Sequence, residues 1–490
     1  MKLSTQLFIT TLSKTTHSLS IFILSVILSR YFTKDEYGTY LHIQLIANFA
    51  IWAFLLGIPH SVYYFLPRVS NPKKFIEITT LLIGGIAIVT ALIVFVNIEN
   101  LSRLLANPTI IQLSSVLFFL VLFQIPLTLF EPIMISANRV QEFAFINLIF
   151  NVSFLLTVIL AVFSSMSMVD ILWCLVVVFS IQSCVVITYT LYISKSLKRA
   201  VKDAEEYSLI NQMQYSLPIG MSMGVVEASR YADKIIVSNQ TSAEDFAVYT
   251  RGAMEIPIIS ILANTLDNLL MPKFVEAYKN NDTDGIITSW HSVIRLMATF
   301  IYPCCFFLIC TASLLIPALF SDKYIGSVII FQVYTLGLLT RISTFNVIIR
   351  AIGKTKAILW ISLLSIFFNV VLTYVFMSWW GLIGAPIATV LTTTFMRYVY
   401  LLSITHYLKL NIAQVFPWKS LLHSFISAAI ASIPLIFLIQ LDINVWLNLL
   451  LMAIVYGVIY LMLLKRSLAL LLEEREAVRA ILPSKFSWVI

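Results

Sequence analysis

The residues from Ile78 to Val96 read ITTLLIGGIAIVTALIVFV, nineteen consecutive positions without a charged side chain. A helix of roughly 20 apolar residues, rising about 1.5 Å per residue, crosses the hydrocarbon core of a bilayer. Because that core holds no water, a spanning segment must satisfy its own backbone hydrogen bonds, which a helix does within itself. This stretch therefore predicts a transmembrane helix.

The remainder of the chain repeats this pattern. Of its 490 residues, 60% are hydrophobic and 11% are charged, whereas soluble domains are about 25% charged. The fold class is therefore predicted to be an all-α polytopic membrane protein with about fourteen transmembrane helices. The predicted spans, numbered one to fourteen, are residues 7–29, 39–66, 76–96, 113–133, 143–163, 170–193, 215–237, 245–271, 291–319, 326–349, 357–377, 381–404, 421–440 and 444–464. Span one is interpreted as a retained helix, because no small-residue cleavage site closes it.

The basic residues orient these spans. If the N-terminus lies in the cytoplasm, twenty-one lysines and arginines fall in cytoplasmic segments and four fall on the opposite side. This asymmetry satisfies the positive-inside rule, which places basic residues in cytoplasmic loops. We therefore expect both termini in the cytoplasm. The net charge of +8 is explained by this orientation, so no nucleic-acid partner is expected.

Short sequence motifs recur along the chain at a spacing of about 205–218 residues. The pairs are KDEYGTY at 34–40 with AEDFAVY at 243–249, Asn138-Arg139 with Gly353-Lys354, and FNV at 150–152 with FNV at 368–370. They predict a six-helix bundle in residues 1–200, a related six-helix bundle in 201–410, and two additional transmembrane helices with a cytoplasmic tail in 411–490. Duplicated halves are common in secondary transporters, which bind their substrates between the halves.

Span seven carries an unusual group of charges. Residues Val225–Val237 read VVEASRYADKIIV and include Glu227, Arg230, Asp233 and Lys234. At about 100° per residue, the four side chains occupy one arc of about 120°, which is typical of a helix that faces water on one side. Four unpaired charges would cost on the order of 10 kcal/mol in a bilayer. Two explanations remain open: local pairing at i,i+3 with a snorkelling lysine, or a wet face that attracts an anionic head group.

Two further pairs of polar residues lie inside predicted spans. Arg251 and Glu255 are i,i+4 neighbours in span eight, and Lys14 and His17 are i,i+3 neighbours in span one. Either pair can be a structural contact, and Lys14 can also snorkel to the cytoplasmic face.

Two other polar residues receive structural interpretations. His60, which follows Pro59 in span two, is interpreted as a core histidine bonded to a backbone carbonyl. Glu131, in the sequence Glu131-Pro132, is interpreted as a helix terminus near the cytoplasm.

Several motifs, taken in order, resemble the polysaccharide-flippase branch of the multidrug/oligosaccharidyl-lipid/polysaccharide exporter superfamily. They are KDEYG at 34–38, ADKIIV at 232–237, YTRGAMEIP at 249–257, MP at 271–272 and GLIGAPIA at 381–388. The resemblance covers nearly the whole chain. It implies a V-shaped pair of six-helix bundles that works by alternating access.

The same resemblance implies a function and a set of partners. It implies a flippase that moves undecaprenyl-diphosphate-linked oligosaccharide, such as an O-antigen repeat unit, across the bacterial inner membrane. Partners are then the lipid-linked oligosaccharide, the bilayer and other polysaccharide-assembly membrane proteins. No cofactor is expected, and coupling to H⁺ or Na⁺ is left open.

The resemblance also implies roles for two basic residues. Arg251 matches a substrate-binding arginine of the related lipid II flippases, and Lys14 stands near a position where they carry arginine. Lysine keeps the charge there but loses bidentate phosphate geometry.

Two alternatives remain: a multidrug or cation exporter of the same fold, and a membrane polysaccharide polymerase or ligase. The predicted outer loops are short and carry no paired carboxylates, Ser/His/Asp set, glycine-rich phosphate loop or metal-ligand cluster, so neither catalytic nor metal-binding residues are predicted. The five cysteines lie in apolar runs and are interpreted as packing residues. The candidate substrate-binding residues are Lys14, His17, Glu227, Arg230, Asp233, Lys234, Arg251 and Glu255.

Overall fold

The computed structural model describes residues 3–197, 207–254, 257–343 and 345–466. Within these ranges the chain is helical and contains no β-strand. The first twelve helices are α1 Leu3–Tyr31, α2 Lys34–Phe54, α3 Ile58–Phe65, α4 Pro72–Val96, α5 Ile98–Leu104, α6 Thr109–Gln112, α7 Ser114–Leu127, α8 Phe130–Ser136, α9 Val140–Phe163, α10 Met168–Ser194, α11 Leu209–Gln240 and α12 Ala243–Gly252. The others are α13 Pro257–Lys279, α14 Thr283–Phe320, α15 Ser327–Leu338, α16 Phe345–Ala351, α17 Thr355–Trp380, α18 Gly384–Leu408, α19 Ile412–Val415, α20 Trp418–Leu438 and α21 Val445–Arg466.

All fourteen predicted spans coincide with helices. In the described ranges, nine helices are long and apolar enough to cross a membrane, or up to ten if the bent pair α2 and α3 counts as one span. One of the nine, Lys356–Leu408, contains both α17 and α18, which a short 3-10 turn separates. The remaining predicted spans correspond to α11, to α12 with α13, and to α15 with α16. The all-α polytopic fold is therefore confirmed.

Contacts between helices divide the chain into two compact units, Met1–Ala247 and Val248–Ile490. We call them the first unit and the second unit. The division at residues 200 and 410 stays a prediction, but the contacts place α11, which forms span seven, in the first unit.

The same helix pairs form within each unit. In the first unit α4 packs on α7, α7 on α10, α9 on α10, and α3 on α8. In the second unit the corresponding pairs are α14 with α15, α15 with α18, α17 with α18, and α13 with α16. Spans two, four, eight and ten are each divided into two helices, so the divided spans are also six spans apart. This agreement is what a duplicated six-helix unit predicts.

The short helices α8 and α16 show the correspondence at single residues. Phe130 is the first residue of α8, and Phe345, 215 positions later, is the first residue of α16. Both helices have seven residues, and their first five residues show the same pattern of buried and accessible positions. In both helices only the second of these five residues is not buried. Each helix is followed by a residue with left-handed backbone, Asn138 at φ 58° and Gly353 at φ 74°.

Within the first unit, α11 runs along α2 and α3. Near its start, Gln212 Nε2 donates to Ser61 Oγ at 2.9 Å. In the middle, the left-handed turn at Gly57 (φ 70°) packs directly on Gly220: a Cβ added to Gly57 would lie 2.6 Å from the Gly220 nitrogen. Only glycine allows two backbones to approach this closely.

A buried polar network holds the end of α11. Because Asn107 Oδ1 accepts from Thr109 N at 3.0 Å, the amide nitrogen of Asn107 is the donor to His42 Nδ1, also at 3.0 Å. His42 Nε2 must then carry the proton and donate to Ser238 Oγ at 2.6 Å. Ser238 in turn donates to the Leu105 carbonyl at 3.1 Å. Buried polar groups need such partners, so this chain of bonds fixes α11 to α2 and to the segment before α6.

The two additional helices α20 and α21 belong to the second unit, where both pack on α14. The core around α14 contains Trp290, Ile294 and Met297 with Tyr456 and Tyr460 of α21. Tyr460 donates its hydroxyl proton to the carbonyl of Thr299 at 2.8 Å. Tyr456 and Tyr460 therefore stabilise the packing of α21 on α14 in the second unit.

Candidate functional site

An ion pair joins α1 to α8 in the first unit. Lys14 Nζ lies 2.7 Å from Glu131 Oε1. The side chains are 61% and 32% exposed, respectively. Lys14 lies near the beginning of the membrane-spanning stretch of α1, Leu12–Tyr31. The lysine therefore pairs with a carboxylate of another helix, a partner that the sequence did not reveal because the two residues are far apart in the chain.

Two hydrogen bonds between polar side chains join α1 to α9 and fix which face of α1 is turned toward α9. Asn147 Nδ2 donates to Ser13 Oγ at 2.8 Å, and His17 Nδ1 lies 2.8 Å from Asn151 Oδ1. Both bonds join residues 134 positions apart, so the two helices run in the same direction. His17, predicted to bind substrate, is thus already bonded to α9, while its neighbour Lys14 is directed to α8.

The α3 helix adds two ionisable side chains near this ion pair. The charge of Glu131 acts on both His60 and Tyr63, and both side chains are exposed. The prediction of a core histidine is therefore wrong for His60, because the break at Gly57 restarts the helix and presents a new face. We call Lys14, Glu131, His60 and Tyr63 the first-unit polar cluster.

The four charges of α11 do not share one environment. Arg230 Nη1 lies 3.2 Å from Glu227 Oε1, with the arginine 58% and the glutamate 14% exposed. This is the local i,i+3 pair that the sequence suggested. Asp233 is buried and accepts from Lys234 N at 2.8 Å, while the Lys234 ammonium lies 5.6 Å from the centre of the Tyr231 ring. The four charges therefore do not form one uniformly water-exposed face of α11, because Arg230 is exposed and Asp233 is buried.

In the second unit, Arg251 occupies the last turn of α12 and is only 7% exposed. Its guanidinium carbon lies 5.3 Å from the centre of the Phe320 ring, a cation–π contact. The adjacent Gly252 packs closely on α15, since an added Cβ would lie 2.6 Å from Ile330 Cγ2. Glu255 lies outside the described residues, so its pairing with Arg251 stays a prediction.

A cavity of about 400 Å³ in the second unit was not predicted. Its wall is mainly aromatic and aliphatic and includes Tyr302, Phe345, Phe416, Trp418, Leu421 and Phe425. Arg397 also lines the cavity and donates to the Gly337 carbonyl at 3.0 Å and to Thr340 Oγ1. These residues come from helices that are far apart in the sequence, so no local sequence motif predicts the cavity.

The fold is similar to that of a solved lipid II flippase and of solved transporters of the MOP superfamily. The structure is similar to the lipid II flippase MurJ in an inward closed conformation, with TM-score 0.69 and 18% identity over 92% of this chain and 97% of that chain. It is also similar to an inward-facing multidrug resistance MATE family transporter of the MOP superfamily, with TM-score 0.64 and 12% identity over 80% and 94% of the two chains. A MOP superfamily transporter from Pyrococcus furiosus gives TM-score 0.55 and 11% identity over 82% and 94%.

The sequence assigns the family. Residues 18–329 match the family described as polysaccharide biosynthesis protein, and the chain belongs to this family. No curated protein matches the sequence. The resemblance found in the short motifs is therefore confirmed at the level of family and fold.

Proposed function

We propose that the protein is a flippase that moves undecaprenyl-diphosphate-linked oligosaccharide, an O-antigen repeat unit or a similar glycan, across the bacterial inner membrane. Membership of a polysaccharide biosynthesis family and a fold shared with a lipid II flippase support this proposal. The observation that carries it is a pair of accessible cations in the first unit, on the helices of predicted spans one and seven: Lys14 and Arg230 are both more than half exposed.

Accessible cations in a membrane helix need an explanation. A lysine or arginine at the bilayer centre costs roughly 2.5–3.5 kcal/mol, so such side chains usually face water or an anion. Lys14 and Arg230 are both ion-paired and still more than half exposed, so an anionic ligand can reach them. A diphosphate is the strongest anion in a lipid-linked oligosaccharide and accepts charge-assisted hydrogen bonds. The sugars themselves are neutral or weakly charged, so a cationic site can hold the diphosphate while tolerating many glycans.

Eight residues take part in this proposal. Lys14, Arg230, Lys234 and Arg251 supply positive charge, His17 supplies a hydrogen-bonding ring, and Glu227, Asp233 and Glu255 hold the cations in place or bind a coupling ion. The head group crosses by alternating access while the isoprenoid tail stays in lipid. Turnover is driven by H⁺ or Na⁺, or by the membrane potential acting on the charged head group. Both termini are cytoplasmic, and other polysaccharide-assembly membrane proteins receive the product.

The two alternatives are less well supported. A multidrug exporter of the same fold would be expected to bind cationic drugs through carboxylates and aromatic rings, whereas the exposed charges in α1 and α11 are basic. A polymerase or ligase would alter the glycan, whereas the similar solved structures described above are a flippase and transporters. We therefore propose that the protein is not an enzyme.

Variants of two arginines test the head-group site. We expect Arg230→Glu and Arg251→Gln to lower the rate of lipid-linked oligosaccharide translocation in liposomes about ten- to a hundredfold, the effect of losing a charge-assisted hydrogen bond. The second change is to a neutral residue because Arg251 is buried. Arg103→Glu, at an exposed position on α5, is the matched control and should transport normally. Full activity in both test variants, with normal folding, would contradict the head-group site.

A further inference from the structure

The exposed ammonium of Lys14 already holds an anion, the Glu131 carboxylate at 2.7 Å. We propose that Glu131 is the resident counter-ion of Lys14, which the substrate diphosphate displaces on binding. This inference rests on the proposed function. It makes Glu131 a specificity-determining residue, because a ligand reaches Lys14 only if it competes with a carboxylate for the same ammonium.

The fold itself does not require a carboxylate at this position. Glu131 is the second residue of α8, and the second residue of the equivalent helix α16 is Asn346. The positions share their pattern of buried neighbours, and neither side chain is buried. Since the repeat folds with a neutral amide in the second unit, the charge in the first unit points to a role in ligand selection.

The energetics favour exchange by phosphate and disfavour exchange by neutral groups. An exposed ion pair contributes about 0–1 kcal/mol, so the Lys14–Glu131 contact is weak enough to open. A diphosphate carries more charge than a carboxylate and offers more acceptor oxygens, whereas an uncharged sugar gains nothing by separating the pair. The released carboxylate stays near His60 and Tyr63 of α3, whose side chains can donate hydrogen bonds.

The other ionisable groups next to α8 form a separate cluster. Arg139 Nη1 lies 3.1 Å from Glu142 Oε2, and Tyr189 donates its hydroxyl proton to the same carboxylate oxygen. Glu142 is thus a carboxylate of the same unit with its own cation. It supplies a matched control for a substitution at Glu131.

Binding by the full-length protein in lipid nanodiscs tests the exchange. The probes are farnesyl diphosphate and inorganic pyrophosphate, which share the diphosphate but differ in the lipid. We expect Glu131→Gln to lower the Kd of both probes about fivefold, the upper range for an exposed pair, and Lys14→Met to raise it at least tenfold. In the double variant, the Kd should equal that of Lys14→Met within about twofold, because Glu131 acts only through Lys14.

Controls separate this role from a structural one. Glu142→Gln should leave the Kd unchanged, and Lys14→Arg should restore binding lost in Lys14→Met, with melting temperatures reporting intact folding. An unchanged or raised Kd in Glu131→Gln overturns the inference, as does a change for farnesyl diphosphate alone. If either result is found while the wild-type protein still translocates lipid-linked oligosaccharide, the counter-ion role of Glu131 is wrong but the proposed function stands. A wild-type protein that neither binds the probes nor translocates the lipid contradicts both.

Discussion

At the scale of single residues, the Asn107 side chain shows how a polar group can stabilise a membrane helix bundle. Its amide donates to Thr39 Oγ1 and His42 Nδ1 and accepts from the backbone of Thr109. The side chain is buried, so each of these bonds replaces a bond to water. Buried groups left without partners each cost about 1–3 kcal/mol. Asn107 therefore stabilises the contact between α2 and the end of α11.

Removing this amide should destabilise the protein. We expect Asn107→Ala to lower the free energy of unfolding by about 1–3 kcal/mol, because His42 and Thr109 lose their partner. The measurement is the thermal or denaturant unfolding of the purified protein. Asn97→Ala is the control, since the side chain of the exposed Asn97, at the C-terminal end of α4, donates to the carbonyl of Ile93 one turn earlier. Equal stability of both variants would show that the network contributes little.

The sequence identifies the charged residues inside the predicted spans, but it does not identify partners that lie on other helices. The sequence predicts Lys14 as a charge inside span one and Glu131 as a helix terminus, but it does not predict that they pair, because an ion pair between α1 and α8 depends on tertiary packing. The local Glu227–Arg230 pair was foreseen because helical spacing alone brings the two residues together. The roles of the eight candidate residues in binding substrate stay predictions.

At the scale of helices, the contact between α11 and the break in span two is unusually close. Gly57 adopts φ 70° at the start of α3, and its backbone lies against Gly220 of α11. A Cβ on Gly220 would lie 2.5 Å from the Gly57 nitrogen, well inside van der Waals contact. One turn later, a Cβ on Gly224 would meet nothing within 4 Å.

These two glycines give predictions of opposite sign. Alanine is favoured over glycine in helices by about 1 kcal/mol, so Gly224→Ala should stabilise the protein slightly. Gly220→Ala should destabilise it by about 1–3 kcal/mol or more, because the added methyl forces α11 away from α3. Unfolding of both variants under the same conditions gives the comparison. If Gly220→Ala is as stable as Gly224→Ala, α11 does not pack on the break as described.

Helices are predictable from sequence, but the packing around their interruptions is not. Long apolar runs such as Ile78–Val96 identify a spanning helix directly. Span two divides at Leu55–Gly57, where Gly57 is left-handed and Pro59 stands in the first turn of α3, a local signal for a break. The packing of this turn against α11 has no such signal, because it depends on tertiary structure. The same limit explains why His60 was expected in the core and is exposed.

At the scale of the whole molecule, the chain is a duplicated membrane fold with two further helices attached to the second unit. The weak repeat in sequence is matched by equivalent helix pairs and by equivalent residues in α8 and α16. The aromatic cavity of the second unit could not be predicted, because residues from Tyr302 to Phe425 contribute to it. Differences between the units, such as Glu131 against Asn346, are where we expect function to reside.

The most direct measurement is translocation of labelled lipid-linked oligosaccharide by the purified wild-type protein in liposomes, with the glycan mass determined before and after. The proposed flippase predicts that the lipid moves to the opposite leaflet faster than in protein-free liposomes and that the glycan mass stays the same. Extension or transfer of the glycan would instead indicate an enzyme. Absence of translocation by folded protein, under an imposed H⁺ or Na⁺ gradient and a membrane potential, would contradict the central claim.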